Sequence, residues 1–131
     1  MYEDTPEQLT SEERLKPPRP EKLYHLDPQI FEEYCASWAR WLGYEDAETT
    51  RYTQDGGIDI TSSEMVAQVK FQALPVAVGP IRELNGVREP QSDAVFFSLN
   101  GYTAGAINEA RRLGVRLFVV RPLDGGLEEI D

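Results

Sequence analysis

Asp55-Gly56-Gly57-Ile58-Asp59-Ile60, followed after a short polar break by Ala67-Gln68-Val69-Lys70-Phe71, is the stretch whose reading decides both fold and chemistry. Gly57–Thr61 reads as one strand and Met65–Gln72 as the next, with clear alternation in the second. Ala67, Val69 and Phe71 fall on one face, and Val66, Gln68, Lys70 and Gln72 on the other. The connection Thr61-Ser62-Ser63-Glu64 is too short for a crossover, so the two strands form an antiparallel hairpin. In that hairpin Asp59 lands opposite about Ala67, beside Gln68. One acid, one amide and one amine then meet on a single patch.

Such a trio suits phosphodiester hydrolysis. A hard cation such as Mg2+, with Mn2+ as the alternative, takes oxygen ligands. Asp59 offers an anionic oxygen, while the Gln68 side-chain carbonyl and the Val69 backbone carbonyl offer neutral ones. The cation would polarise a phosphate oxygen and acidify a bound water. Lys70 would hold or deprotonate that water and offset charge on the pentavalent transition state. Gly56 and Gly57 leave room for a DNA backbone to approach.

Upstream, Asp27 reads as a helix cap and Pro28 as the first helical residue, with the helix running through about Leu42 and stopping at Gly43. Phe31, Tyr34, Cys35, Trp38 and Leu42 share an apolar face that Trp41 widens. Glu32 lies near Ala36 and Ala39 at the edge of that face, where small side chains let the helix approach the sheet. It is therefore the expected second carboxylate of the site. Glu33 falls beside Ser37 and Arg40 and is expected in solvent. Tyr44–Thr50 is expected as a first strand.

Downstream, Gly79-Pro80 opens a helix through about Val87, and Ala94–Leu99 is an apolar strand. Thr103 caps a helix through Leu113 that Gly114 stops, and Val115–Val120 is a last apolar strand closed by Pro122. Apolar strands separated by a helix indicate a parallel pair joined by a crossover. The expected fold is α/β, a mixed central sheet of hairpin plus parallel strands, with helices on both faces. Arg51 and Gln54, on the loop into Asp55, and Arg82 and Asn85, on the helix after the second hairpin strand, border the expected phosphate track and are the candidates for backbone contacts. Arg111, Arg112 and Arg116 read as a solvated helix end. Asp124-Gly125-Gly126 reads as a turn, His25 as a surface residue, and Cys35, Trp38 and Trp41 as core or core edge.

The chain has 131 residues, 40% hydrophobic and 27% charged, enough for one domain with its own core. Residues 25–131 make that domain, and residues 1–24 an acidic, proline-containing arm in which Thr10 and Glu13 could cap one short helix. No apolar run suits a membrane span, and the lone Cys35 excludes an internal disulfide, which together suggest a reducing, cytoplasmic setting. A net charge of −10 argues against a nucleic-acid partner, but nearly all of it lies before Val66, and Val66–Pro122 carries a basic excess.

The whole arrangement resembles the Mrr-type restriction endonuclease family, within the PD-(D/E)XK nuclease superfamily. The likeness begins at Phe31-Glu32 and at the helix exit Leu42-Gly43-Tyr44. It continues through Asp55–Asp59, Gln68-Val69-Lys70, Val78-Gly79, Ile81-Arg82 and Leu84-Asn85-Gly86, and reaches about Leu127. Glutamine at position 68 is usual in the Mrr-like branch, where the wider superfamily carries Glu or Asp. The resemblance implies Mg2+-dependent DNA hydrolysis leaving a 5′-phosphate, with Glu32, Asp59, Gln68 and Lys70 in the active site. Alone the chain would cut weakly or nonspecifically, or be directed by a homodimer or a targeting partner protein, and a double-strand break would need two sites or two visits. The alternative is a non-catalytic or partner-dependent DNA-binding module that keeps the nuclease fold. Retention of both Asp59 and Lys70 favours the enzyme.

Overall fold

A computed structural model describes residues 17–50 and 57–131. The first helix, α1 (Pro28–Trp41), starts where expected: the Asp27 carboxylate accepts from the Ile30 N–H at 2.8 Å, and Pro28 opens the helix. Its exit is Leu42 followed by Gly43 at φ 117°, a conformation that favours glycine. Strands β1 (Glu48–Thr49), β2 (Ile60–Thr61) and β3 (Met65–Lys70) follow, then α2 (Val78–Val87), β4 (Asp93–Ser98), α3 (Ala104–Leu113), β5 (Val115–Arg121) and β6 (Gly126–Ile130).

The strands form one sheet in chain order, β1 to β6. The β1–β2 and β2–β3 pairs are antiparallel, β3, β4 and β5 run parallel, and β6 returns antiparallel to β5. One core lies between the sheet and α1. Phe31, Cys35 and Trp38 meet Met65, Ala67, Val95 and Phe97 there. A second core lies under α2 and α3, where Ile81, Leu84, Ala106 and Ala110 meet Ala94, Phe96 and Leu117. The two layers divide the alternating residues of β3: Met65 and Ala67 belong to the α1 side, and Val66 to the α2–α3 side. The expected mixed sheet with helices on both faces is thus the observed one. Thr103 and Gly114 bound α3 as read, the first accepting from Ala106 N–H at 3.1 Å and the second at φ 73°.

Several boundaries differ. The strand expected over Tyr44–Thr50 is only Glu48–Thr49, because a tight turn closed by Ala47 N–H to Tyr44 O at 2.9 Å tucks Tyr44 and Ala47 into the core. The strand expected from Gly57 starts at Ile60. Pro122 does not end the sheet: Asp124-Gly125-Gly126 is the expected turn, but it leads into β6. Arg116 lies within β5, not at a helix end. Of residues 17–24, Leu23 N–H donates to Pro122 O at 2.7 Å and the Arg19 guanidinium lies 5.0 Å from the Trp38 ring centre. The short helix expected near Thr10 lies outside the described residues. Among the described residues, no helix is long and apolar enough to cross a membrane.

Candidate active site

The hairpin closes at Ser62, whose N–H donates to Met65 O at 2.9 Å. Ser63 N–H reaches across to the Asp46 carboxylate at 2.8 Å and ties the turn to the α1–β1 connection. Ile60 is the residue paired with Ala67, yet the Asp59 N–H also donates to Ala67 O at 2.8 Å. Two residues of one strand therefore face one residue of the other, the arrangement of a β-bulge, which bends a strand and re-aims its side chains.

The re-aimed side chain is Asp59. Its carboxylate accepts from the Val69 N–H at 2.8 Å, so a side chain replaces the strand partner that β2 no longer provides. A strand residue sends its N–H and C=O to the same side, so the Val69 carbonyl also leaves toward this edge. Thr50 braces the other flank: its N–H donates to Asp59 O at 2.9 Å and its hydroxyl to Ile58 O at 2.6 Å. Nothing periodic in the sequence marks Thr50 for this task.

Burial pushes the Asp59 carboxyl above its ordinary value, against the Val69 hydrogen bond and the positive charge of Lys70, which both pull it down. Partial removal from water is the larger effect and outweighs both. Glu32, half-buried, stands on the same side of the sheet. Burial raises the Cys35 thiol well above its usual value, and the Glu32 and Asp59 carboxylates both push it further. Both acids therefore bear on one buried atom of α1. Ala36 and Ala39, fully buried, allow this close approach of helix and sheet.

Gln68 completes the group. It is only 5% exposed, and its Oε1 is buried without a hydrogen-bond partner. Gly57, at φ 69°, covers its carboxamide so closely that a Cβ at that position would stand 2.8 Å from Gln68 Nε2. Lys70, half-buried at the end of β3, shares the alternation of Gln68. Asp59 thus meets Val69 directly and feels the charge of Lys70, Gly57 stands against Gln68, and Glu32 lies on α1.

Other expectations fare differently. Glu33 is not solvated: it is half-buried and accepts from the Thr49 hydroxyl at 3.1 Å. Arg51 and Gln54 lie outside the described residues, as do Asp55 and Gly56. Arg82 is exposed on α2, but its Nε donates to Glu109 at 2.6 Å. Asn85 accepts from Arg88, whose guanidinium also caps the Leu113 carbonyl of α3 at 2.7 Å. Every arginine from Arg82 to Arg121 has an acceptor within the chain. Arg111 holds the Asp131 carbonyl, Arg112 holds Glu109, Arg116 holds Glu129, and Arg121 holds Glu128.

No curated protein and no solved structure shows a significant match to the chain. A family model does: the one described as the restriction endonuclease domain Mrr_cat matches residues 23–123. That span covers α1, the hairpin, the parallel strands and the whole described part of the site, and the chain belongs to the Mrr_cat restriction endonuclease family.

Proposed function

We propose that this domain hydrolyses phosphodiester bonds of DNA with the help of a divalent cation, Mg2+ or Mn2+. The observation that carries the reading is the buried, unpartnered carbonyl oxygen of Gln68 on the strand whose next residue is held by the desolvated Asp59 carboxylate. An orphan acceptor costs stability, and a carboxylate short of water costs more. A hard cation repays both costs at once. Among the described residues no group of three or more His, Cys, Asp or Glu side chains is placed to hold a metal ion. The donors would therefore be mixed: the Asp59 carboxylate, the Gln68 carboxamide oxygen and the Val69 carbonyl, with water filling the remaining positions. When bound, the cation would supply Lewis acidity to a phosphate oxygen and to a water.

The chain's own groups do the rest. The Lys70 ammonium orients the attacking water and offsets charge that grows on the phosphate oxygens. Glu32, on the small-residue face of α1, adds a second carboxylate near Asp59 that can take up a proton or hold a water. Arg82 and Asn85 on α2, with Arg51 and Gln54, which precede Asp55 in the sequence, are the proposed contacts to the DNA backbone. Arg82 would exchange Glu109 for phosphate as it does so. One site cuts one strand, so a double-strand break requires a second copy or a second visit.

The test is cleavage of supercoiled plasmid by the purified chain in Mg2+ or Mn2+, beside EDTA, Asp59→Asn and Lys70→Ala. Nicking that vanishes in all three controls supports the proposal. DNA binding without any cleavage, across metals and salt, would instead support a binding module that keeps the fold.

A further inference from the structure

We infer that Gly57 is a positioning residue for Gln68: its bare α-carbon is the surface against which the Gln68 carboxamide is set, with Oε1 left free for a cation. This inference rests on the catalytic reading of Gln68, and its test separates the two.

Two observations meet at Gly57. Its backbone sits at φ 69°, in the left-handed region that favours glycine. A Cβ there would approach Gln68 Nε2 to 2.8 Å, Cδ to 3.3 Å and Oε1 to 3.7 Å. The first distance is shorter than real Cβ contacts allow, and the obstacle is the functional end of a nearly buried side chain. Room to yield is small, because Gln68 is 5% exposed and stands on a strand between β2 and β4. A methyl group at position 57 would therefore displace the carboxamide by roughly 0.5 Å, the tolerance within which a metal-binding constellation must be held. Loss of a group that orients a metal ligand lowers affinity by about 10–100-fold.

Other glycines separate the contact from the backbone. Gly114, at φ 73°, and Gly101, at φ 82°, have nothing within 4 Å of an added Cβ. Alanine at either carries comparable backbone strain and touches no site residue.

Three measurements decide the matter. In the metal-free protein, the Gln68 side-chain NH2 resonances, assigned by their loss in Gln68→Ala, should move in Gly57→Ala and stay in place in Gly114→Ala. The thermal destabilisation by Gly57→Ala should shrink to that of Gly114→Ala when made on the Gln68→Ala background, because the clash is gone and only strain remains. Mn2+ affinity should fall at least tenfold in Gly57→Ala and stay within threefold in Gly114→Ala. Unmoved Gln68 resonances together with an undiminished penalty on the Gln68→Ala background would overturn the inference. If the wild type binds no Mn2+, the catalytic reading fails, and the first two measurements still decide the role of Gly57. If Gly57→Ala does not fold, recovery of folding in Gly57→Ala/Gln68→Ala supports the inference, and failure of both refutes it.

Discussion

Replacing Gln68 with methionine should stabilise the metal-free protein while abolishing its activity. Gln68 is 5% exposed and its Oε1 has no partner. A buried polar atom without a partner costs about 1–3 kcal/mol. Methionine keeps the length of the side chain and removes the orphan, at the expense of whatever the amide nitrogen donates to. A net gain of about 1 kcal/mol is expected, which for a chain of this size raises Tm by roughly 3–5 °C. Thermal melts in EDTA read this directly, and plasmid nicking in Mg2+ should fall to background in the same protein. Saturating Mg2+ should raise the wild-type Tm, by about 2.7 kcal/mol of stability at a hundredfold excess over Kd, and leave the variant unmoved. A lower Tm for Gln68→Met in EDTA would refute the reasoning, because it would mean that Oε1 is already satisfied and the pocket has no unmet demand for a cation.

Other expectations concern the rest of the site and the frame. Lys70→Ala should lower the single-turnover cleavage rate by about 10²–10³-fold, with Mn2+ affinity measured by calorimetry unchanged within threefold. Gln68→Glu should strengthen Mn2+ binding, since it adds a negative ligand, but lower Tm in EDTA, and a higher Tm without metal would contradict it. Glu109 is held at about 2 by hydrogen bonds from Arg112 and Arg82, below its ordinary 4.5. Its depressed value means that its contribution is present above pH 4.5 and is lost as pH falls from there toward 2. Urea unfolding of wild type and Glu109→Gln should therefore converge across that window. Tyr44 OH donates to Asp93 at 2.6 Å and accepts from Arg116 at 3.0 Å, so Tyr44→Phe should cost about 1–2 kcal/mol in denaturant unfolding and leave Mn2+ binding intact.

Elements whose burial alternates or whose ends carry caps were readable from sequence. Asp27, Thr103 and Gly114 bound their helices because each satisfies backbone groups that neighbours cannot. Met65–Lys70 showed its two faces through period two alone. The strand Gly126–Ile130 carries no apolar run in the sequence because an edge strand need not be apolar: Glu128 and Glu129 pair with Arg121 and Arg116 across the hairpin. Asp59, Gln68 and Lys70 could be placed together because the hairpin brings near-neighbours in the chain together. The bulge that lets both Asp59 and Ile60 address Ala67 could not be placed, since it depends on how β2 leaves the sheet. Arg82 and Asn85 show a further limit. A helical position foretells exposure, but not that Glu109 and Arg88, far along the chain, will engage those side chains first.

The arginines of the second half carry a consequence for how this protein can meet a polyanion. Each one already holds an acidic group or a backbone carbonyl of the chain. For Arg82, Arg112, Arg116 and Arg121, contact with phosphate is then a swap of one anion for another rather than a gain of a new partner. Salt acts on both halves of that swap. It weakens the phosphate contact by counterion competition, and it loosens the internal pair that must open first. The slope of log affinity on log salt therefore falls short of the 0.9 or so per neutralised phosphate that a free cation would give. Arginines so committed also discriminate by charge density, since a sparse or distant anion cannot outbid the carboxylate already in place.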